Sequence, residues 1–154
     1  MFANEVDLPH RSAYTGYEEG TPSIPINSFY KKLRARNLCN HRDFQNIAVN
    51  GGDSYTISGN YMYALSRDQQ KDHPMIVFVE IMGNDVCDPK HSFDIMTPPP
   101  VFKANVIRTL QYLNTRLPAG SHVFLLGLVD GRILYDNLWN HTHPIGVTYQ
   151  KVYE

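Results

Sequence analysis

An α/β fold with a parallel sheet follows from two observations. The first is a pair of strand-length, nearly unbroken apolar runs, PMIVFVEIM (74–82) and SHVFLLGLV (121–129), the pattern of strands covered on both faces. The second is the order of elements, which reads helix, strand, helix, strand, helix, strand, with no internal repeat. A chain of 154 residues, 42% apolar, is the length of one domain and can bury a core.

The elements follow in order. Residues 1–25 lack periodicity and carry Gly, Pro, Ser and acidic side chains, which predicts an extended N-terminal arm that packs on something or is disordered. INSFYKKLRARN (26–37) reads as a helix, with Asn27 or Ser28 as its cap and Phe29, Tyr30 and Leu33 toward the core. FQNIAV (44–49) predicts a short strand ending in the Gly51-Gly52 turn. SYTISGNYMYALSRDQQ (54–70) predicts a helix, with Ile57, Tyr61 and Leu65 four apart; Gly59 weakens it by about 1 kcal/mol relative to Ala. The apolar strand 74–82 comes next, then a long loop, GNDVCDPKHSFDIMTPPP (83–100). Residues 100–118 predict a helix with a proline near its start and Val106, Leu110, Leu113 and Leu117 on one face. The strand 121–129 is followed by a turn and a short helix or loop, DGRILYDNLWN (130–140).

The bulk composition removes several classes of function. A net charge of −1 makes no electrostatic case for nucleic acid. No apolar run reaches the ~20 residues of a membrane helix, so the chain is not expected to be transmembrane. The first residues, MFANEVDLPHRSAYTGYEEG, have neither the basic flank nor the apolar segment of a signal peptide. Two cysteines, Cys39 and Cys87, are too few for a disulfide scaffold; they pair once or both lie as buried thiols. Ten tyrosines hint at interface surface.

In open parallel sheets, functional residues sit just beyond the carboxyl ends of strands. Three such ends are visible: Asn50-Gly51, Gly83-Asn84-Asp85 and Val129-Asp130-Gly131. Gly83-Asn84-Asp85 resembles the Gly-x-Asn-Asp block of the SGNH (GDSL) hydrolases. The stretches CNHRDFQNIAVNGG, IMGNDVCDPK, LNTRLPAGSHVFLLGLVDG and DNLWNHTHPIG look closer still to one branch, the acyloxyacyl hydrolases, which remove secondary acyl chains from lipopolysaccharide. The resemblance covers roughly residues 37–146.

The resemblance implies an incomplete three-layer αβα, flavodoxin-like parallel sheet over residues 26–154, behind the arm of residues 1–25. It also implies roles. Ester hydrolysis passes through a tetrahedral oxyanion that needs donors fixed where its charge develops. Gly51 would offer its N–H with no side chain in the way, and Asn84 its side-chain amide. Asn50-Gly51 falls roughly 30 residues before the Gly-Asn-Asp block, where the family places its second block. The tripeptide Gly52-Asp53-Ser54, which looks like a nucleophile motif, therefore stands in the second block's place. Ser54 is expected to cap the following helix rather than attack an ester. The family's catalytic His comes from an Asp-x-x-His block, and here Asn140 stands where His143 would need an Asp. A nucleophile–base pair of Ser54 and His143 is the weaker alternative.

Neither a metal nor a cofactor is expected. His141 and His143, two apart with no third ligand, make a poor zinc site, and Asp85, Asp88, His91 and Asp94 read as a solvated loop rather than a cation site. Asn140-His141-Thr142 is an N-glycosylation sequon, relevant only on the secretory path; family members are secretory or lysosomal.

These features predict part of an acyloxyacyl hydrolase-like lipid ester hydrolase, with both oxyanion blocks present and the nucleophile Ser and catalytic His outside this chain. The alternative is a non-catalytic structural or binding subunit of a larger assembly. In either case the central strand of the sheet is missing between 45–49 and 75–82. Paired strands lie about 4.8 Å apart, so one missing strand leaves roughly 9.6 Å. A partner polypeptide is expected to fill that slot, the other solutions being the folded-back arm or direct pairing. An acyl ester or lipid is the expected small ligand.

Overall fold

The computed structural model describes residues 7–87, 93–128 and 130–153. Its centre is a parallel pair of strands, β3 (Ile76–Val79) and β4 (His122–Leu125), with Phe78 opposite Phe124 and Val79 opposite Leu125. The chain returns from one to the other through α3 (Met82–Val86) and the long helix α4 (Pro99–Arg116). That return is what makes the pair parallel, since a tight turn can join only antiparallel strands. α4 begins with Pro99 at its first turn, where a missing N–H removes no helical bond. Val79, Leu113 and Leu117 form the core, with Ile57, Leu65, Met75, Val77 and Ile81 packed around them. The face of α4 turned inward also carries Asn105 and Thr109, both buried, whereas Leu110, expected inside, is exposed. A general α/β architecture is thus present, with a parallel sheet of two strands in the described residues.

Before this unit come β1 (Gly20–Thr21), β2 (Ile24–Pro25), α1 (Phe29–Arg36) and α2 (Ser54–Gly59); after it come α5 (Gly131–Leu138) and α6 (Tyr149–Tyr153). β1 and β2 form a small antiparallel hairpin. Gly20 takes a φ of 75° there, and a Cβ at that position would meet the Ile24 carbonyl oxygen at 2.4 Å. α1 is capped by Ser28, the second of the two expected candidates. Its Oγ accepts from the Lys31 N–H and donates to the Gly16 carbonyl oxygen at 2.5 Å, tying arm to helix. The helix expected over 54–70 stops at Gly59 and continues as a 3₁₀ turn over Tyr61–Ala64. Gly59 and Asn60, both weak helix formers, stand at the break.

Two expectations about strands fail. Residues 44–49 join no ladder. Side chains pin the segment instead: Gln45 donates to the Ala64 carbonyl and accepts from the Ser66 N–H, and Asn46 donates to Thr15 Oγ1 at 2.8 Å. The physical reason is that extended backbone becomes a strand only beside another strand, and among the described residues none pairs with it. The runs 74–82 and 121–129 shorten to four-residue strands, and β4 is exposed along its whole length rather than covered on both faces; Val129 lies outside the described residues.

The arm packs between the two segments thought to flank an empty slot. Tyr14 stacks on Phe78 with ring centroids 4.6 Å apart and donates its hydroxyl to Glu80, one residue beyond β3. Thr15 holds Asn46, and Asp7 accepts from the Asn50 N–H at 2.7 Å. Phe29 of α1 meets Phe78 edge-on, and Phe78 stacks on Phe124 of β4. The arm adds no rung to the sheet; it covers one side of β3 with aromatic rings. Among the described residues, no helix is long and apolar enough to cross a membrane.

Candidate functional site

The carboxyl end of β3 runs directly into α3, which carries Asn84 and Asp85. The turn of residues 50–53 comes against it from the other side. Gly51 has a φ of 75°, and a Cβ there would touch nothing within 4 Å, so the space over it is open. The Gly52 N–H closes the turn on the Val49 carbonyl at 3.0 Å. Asn84 Nδ2 donates to the Gly52 carbonyl oxygen at 2.9 Å. Asn84 and the Gly51-Gly52 turn, 32 residues apart for the bonded pair, are therefore brought together. A side-chain amide has two N–H donors. One of Asn84's is engaged by Gly52, and Asn84 is exposed.

Ser54 does not cap α2. The cap is Asp53, whose carboxylate accepts from the Thr56 N–H at 2.7 Å while Thr56 Oγ1 accepts from the Asp53 N–H at 2.8 Å. This reciprocal pair is a capping box with Thr in place of the usual Glu or Gln, and it moves Ser54 into the first helical position. There Ser54 is 0% exposed. Its Oγ donates to Asp85 Oδ1 at 2.5 Å, its N–H donates to Asp85 Oδ2 at 2.9 Å, and its Oγ accepts from Asn105 Nδ2 at 3.1 Å. Asp85 is 3% exposed, and its backbone carbonyl accepts from the Thr97 N–H at 2.8 Å. Thr109 Oγ1 donates to the Asn105 carbonyl at 3.1 Å. A buried carboxylate is costly unless it is hydrogen-bonded. Here both oxygens are met by one residue of α2, and α4 closes the group through Asn105.

This polar cluster was not expected from the sequence. One signal could have found it: Asn105 and Thr109 lie four apart on α4, on the same face as Val106 and Leu113. Polar residues on an apolar stripe need partners inside.

His143 lies elsewhere. Its Nδ1 accepts from the Ile145 N–H at 3.2 Å, its backbone N–H donates to the Val147 carbonyl at 2.6 Å, and its ring meets Tyr149 edge-on. The turn is closed by a bridge between Thr142 and Thr148. His143 and Ser54 are not hydrogen-bonded to each other, and the side-chain partners of Ser54 are Asp85 and Asn105. Among the described residues, no three His, Cys, Asp or Glu side chains converge as a metal site; Asp88 and His91 lie outside them. Cys39 and Cys87 are free and exposed, neither paired nor buried. Cys39 sits in a 3₁₀ turn and Cys87 at the end of α3.

No protein-family model matches the chain. Among curated proteins it is similar to acyloxyacyl hydrolase of Mus musculus, 46% identical over 144 residues that make up 93% of this chain and 25% of that protein. The acyloxyacyl hydrolases of Oryctolagus cuniculus and Homo sapiens are each 44% identical to it, over 97% of this chain and 27% of theirs. The chain thus spans about a quarter of the length of the curated relatives it matches. Identity of that level along almost all of the chain establishes kinship: it is related, at the level of family, to a quarter-length segment of acyloxyacyl hydrolase.

Proposed function

We propose that this chain is part of an acyloxyacyl hydrolase-like lipid ester hydrolase of SGNH type, in which it supplies the oxyanion side of the site. Asn84 donates the free hydrogen of its amide to the developing oxyanion, and Gly51 donates its backbone N–H from the unobstructed turn. The nucleophile Ser and the catalytic His come from outside these 154 residues, as does the polypeptide that pairs with the free edge of β3.

One observation carries this proposal. Asn84, just beyond the carboxyl end of β3, reaches back to the Asn50-Gly51-Gly52 turn and is anchored there through one of its amide hydrogens. Donors that are already aimed need no reorganisation when charge develops between them. The kinship with acyloxyacyl hydrolase supports an acyl ester of a lipid as the substrate class. Ser54 does not serve as the nucleophile. A substrate carbonyl has no access to a hydroxyl that is 0% exposed, and the groups on either side of it are a carboxylate and an amide, not a base poised to take its proton.

The test is complementation. The chain is mixed with the remaining portions of an acyloxyacyl hydrolase, and fatty-acid release from an acyloxyacyl ester is followed. The chain alone is expected to stay at background. The complemented enzyme is expected to turn over, and Asn84→Ala to lower its rate by about 10²–10³-fold. Turnover by the chain alone that Ser54→Ala abolishes would overturn the proposal, as would complemented turnover indifferent to Asn84→Ala. A stable complex without turnover would favour a non-catalytic binding subunit.

A further inference from the structure

We infer that Asp85 is the positioning residue of this site: it holds Asn84 against the Gly51-Gly52 turn by gripping the first residue of α2 with both carboxylate oxygens. The catalytic consequence rests on the function proposed above; the clamp itself does not.

The geometry is a short lever. Asn84 and Asp85 are neighbours on α3, a helix of five residues. Asn84 reaches the turn at Gly52, and Asp85 reaches the helix that the turn leads into at Ser54. The two contacts are one residue apart on α3 and two residues apart on the other side. The two contacts are coupled through the chain, because the capping box at Asp53 and Thr56 stiffens residues 53–56 and Gly52 is bonded directly to that unit. The contacts differ in strength. Asn84 makes one neutral, exposed hydrogen bond; Asp85 makes two charge-assisted bonds, at 2.5 and 2.9 Å, away from water. The buried pair therefore sets the spacing, and the exposed amide follows it. Asn105 locks the grip from a third side by donating to Ser54 Oγ, so α4 carries the load into the hydrophobic core.

The clamp also accounts for a serine that does no chemistry. Position 54 must be small enough to sit 0% exposed beneath α4, and it must offer a second donor beside its N–H. Ser meets both conditions, Ala only the first.

The experiment uses the full 154-residue chain and the complemented hydrolase, each with Asp85→Asn, Ser54→Ala, Asn84→Ala and the double variant Asp85→Asn/Asn84→Ala. Asp85→Asn keeps the shape but sets an NH₂ against the Ser54 donors. In the chain, magnetic resonance of the Asn84 side-chain amide reads the clamp without any turnover. Asp85→Asn is expected to shift that resonance and to speed its hydrogen exchange about tenfold or more, with far-ultraviolet dichroism unchanged. Ser54→Ala, which keeps the Ser54 N–H bond, is expected to do so less. In the complemented enzyme, Asp85→Asn is expected to lower kcat by about 10²-fold with KM little changed, as a displaced donor would. Combined with Asn84→Ala it is expected to add almost nothing, because both remove the same donor.

An Asn84 resonance indifferent to Asp85→Asn overturns the inference whatever the enzyme does. So does a double variant whose losses multiply, because Asp85 would then act independently of Asn84. Where Asp85→Asn unfolds the chain, Ser54→Ala decides: an undisturbed Asn84 amide overturns the clamp, and a shifted one with intact dichroism upholds it. Failure of Asn84→Ala to slow the enzyme would strike at the proposed function and leave the resonance result standing.

Discussion

The corner where α2, α3 and α4 meet and the flank formed by β4 and α5 are built on opposite terms. At the corner, Ser54, Ser58, Asp85, Asn105 and Thr109 are all buried, although none is hydrophobic. Along the flank, Phe124, Leu125, Leu128, Ile133, Tyr135 and Trp139 are all exposed, although all are hydrophobic. The usual inside–outside rule is inverted in both places. Polar groups go inside where each has a partner in this chain. Apolar groups stay outside where none of the described residues lies over them. β3 shows the contrast within one sheet: the arm and α1 cover it with Tyr14 and Phe29, while its neighbour β4 leaves Phe124 51% exposed.

Asp85→Ala tests the corner most severely. It leaves the Ser54 N–H and hydroxyl buried without their acceptors, and hydrogen bonds to charged groups are individually strong. A loss of roughly 3 kcal/mol in urea unfolding is expected. A loss under about 1 kcal/mol would mean that water reaches the corner freely, and the contrast with the flank would collapse.

Asp53→Ala comes next. It removes the carboxylate half of the capping box at the start of α2, keeps the residue 53 N–H that donates to Thr56 Oγ1, and leaves the Asp85 grip in place. A loss of about 1 kcal/mol is expected from the same measurement. Were it to match Asp85→Ala, the cap rather than the buried carboxylate would be organising the corner.

The covered side of the sheet has a signature in pH. The hydrogen bond to Glu80 raises Tyr14 from its ordinary 10.0 to about 12, helped by burial and by the carboxylate's charge. The folded chain thus holds this proton more tightly than the unfolded chain does. The contribution of the contact is complete below pH 10.0 and is lost as pH rises from there through about 12. Ultraviolet titration of the phenols should show one late-titrating tyrosine, absent in Tyr14→Phe. If Glu80→Gln leaves that late titration untouched, the arm is not docked on β3 as described.

The smallest effect on stability belongs to the flank. Ile133 is 62% exposed, so Ile133→Ser should change the unfolding free energy by no more than about 0.5 kcal/mol. Its effect should appear in association instead, as a lower tendency to self-associate in sedimentation. A clear destabilisation by Ile133→Ser would show that the flank is internally packed and that the two regions differ less than their exposures say.

How much of this was legible in the residues alone depends on the range of the interaction. The helix over 99–116 was readable because its start at proline and its apolar spacing are set within a few turns of backbone. The strands at 76–79 and 122–125 were readable for the same reason, from apolar runs that suit extended backbone. The neighbourhood of Asn84 and the Asn50-Gly51 turn came from a resemblance to known hydrolases, not from periodicity.

What required the folded chain was every feature that needs a partner far away in sequence. Residues 44–49 have the composition of a strand, yet a strand exists only beside another, and what holds this segment is side-chain bonds to the arm and to residues 64–66. Ser54 has the residue type of a cap, yet Asp53 takes the cap and Asp85, 31 residues on, takes the serine. Leu110 has the spacing of a core residue, yet α4 turns Asn105 and Thr109 inward, where Asn105 donates to the buried Ser54 hydroxyl and Thr109 to the Asn105 carbonyl. Local propensity is set by each residue and its near neighbours. Satisfaction of buried polar groups is a property of the whole fold, and only the tertiary structure decides which residues supply it.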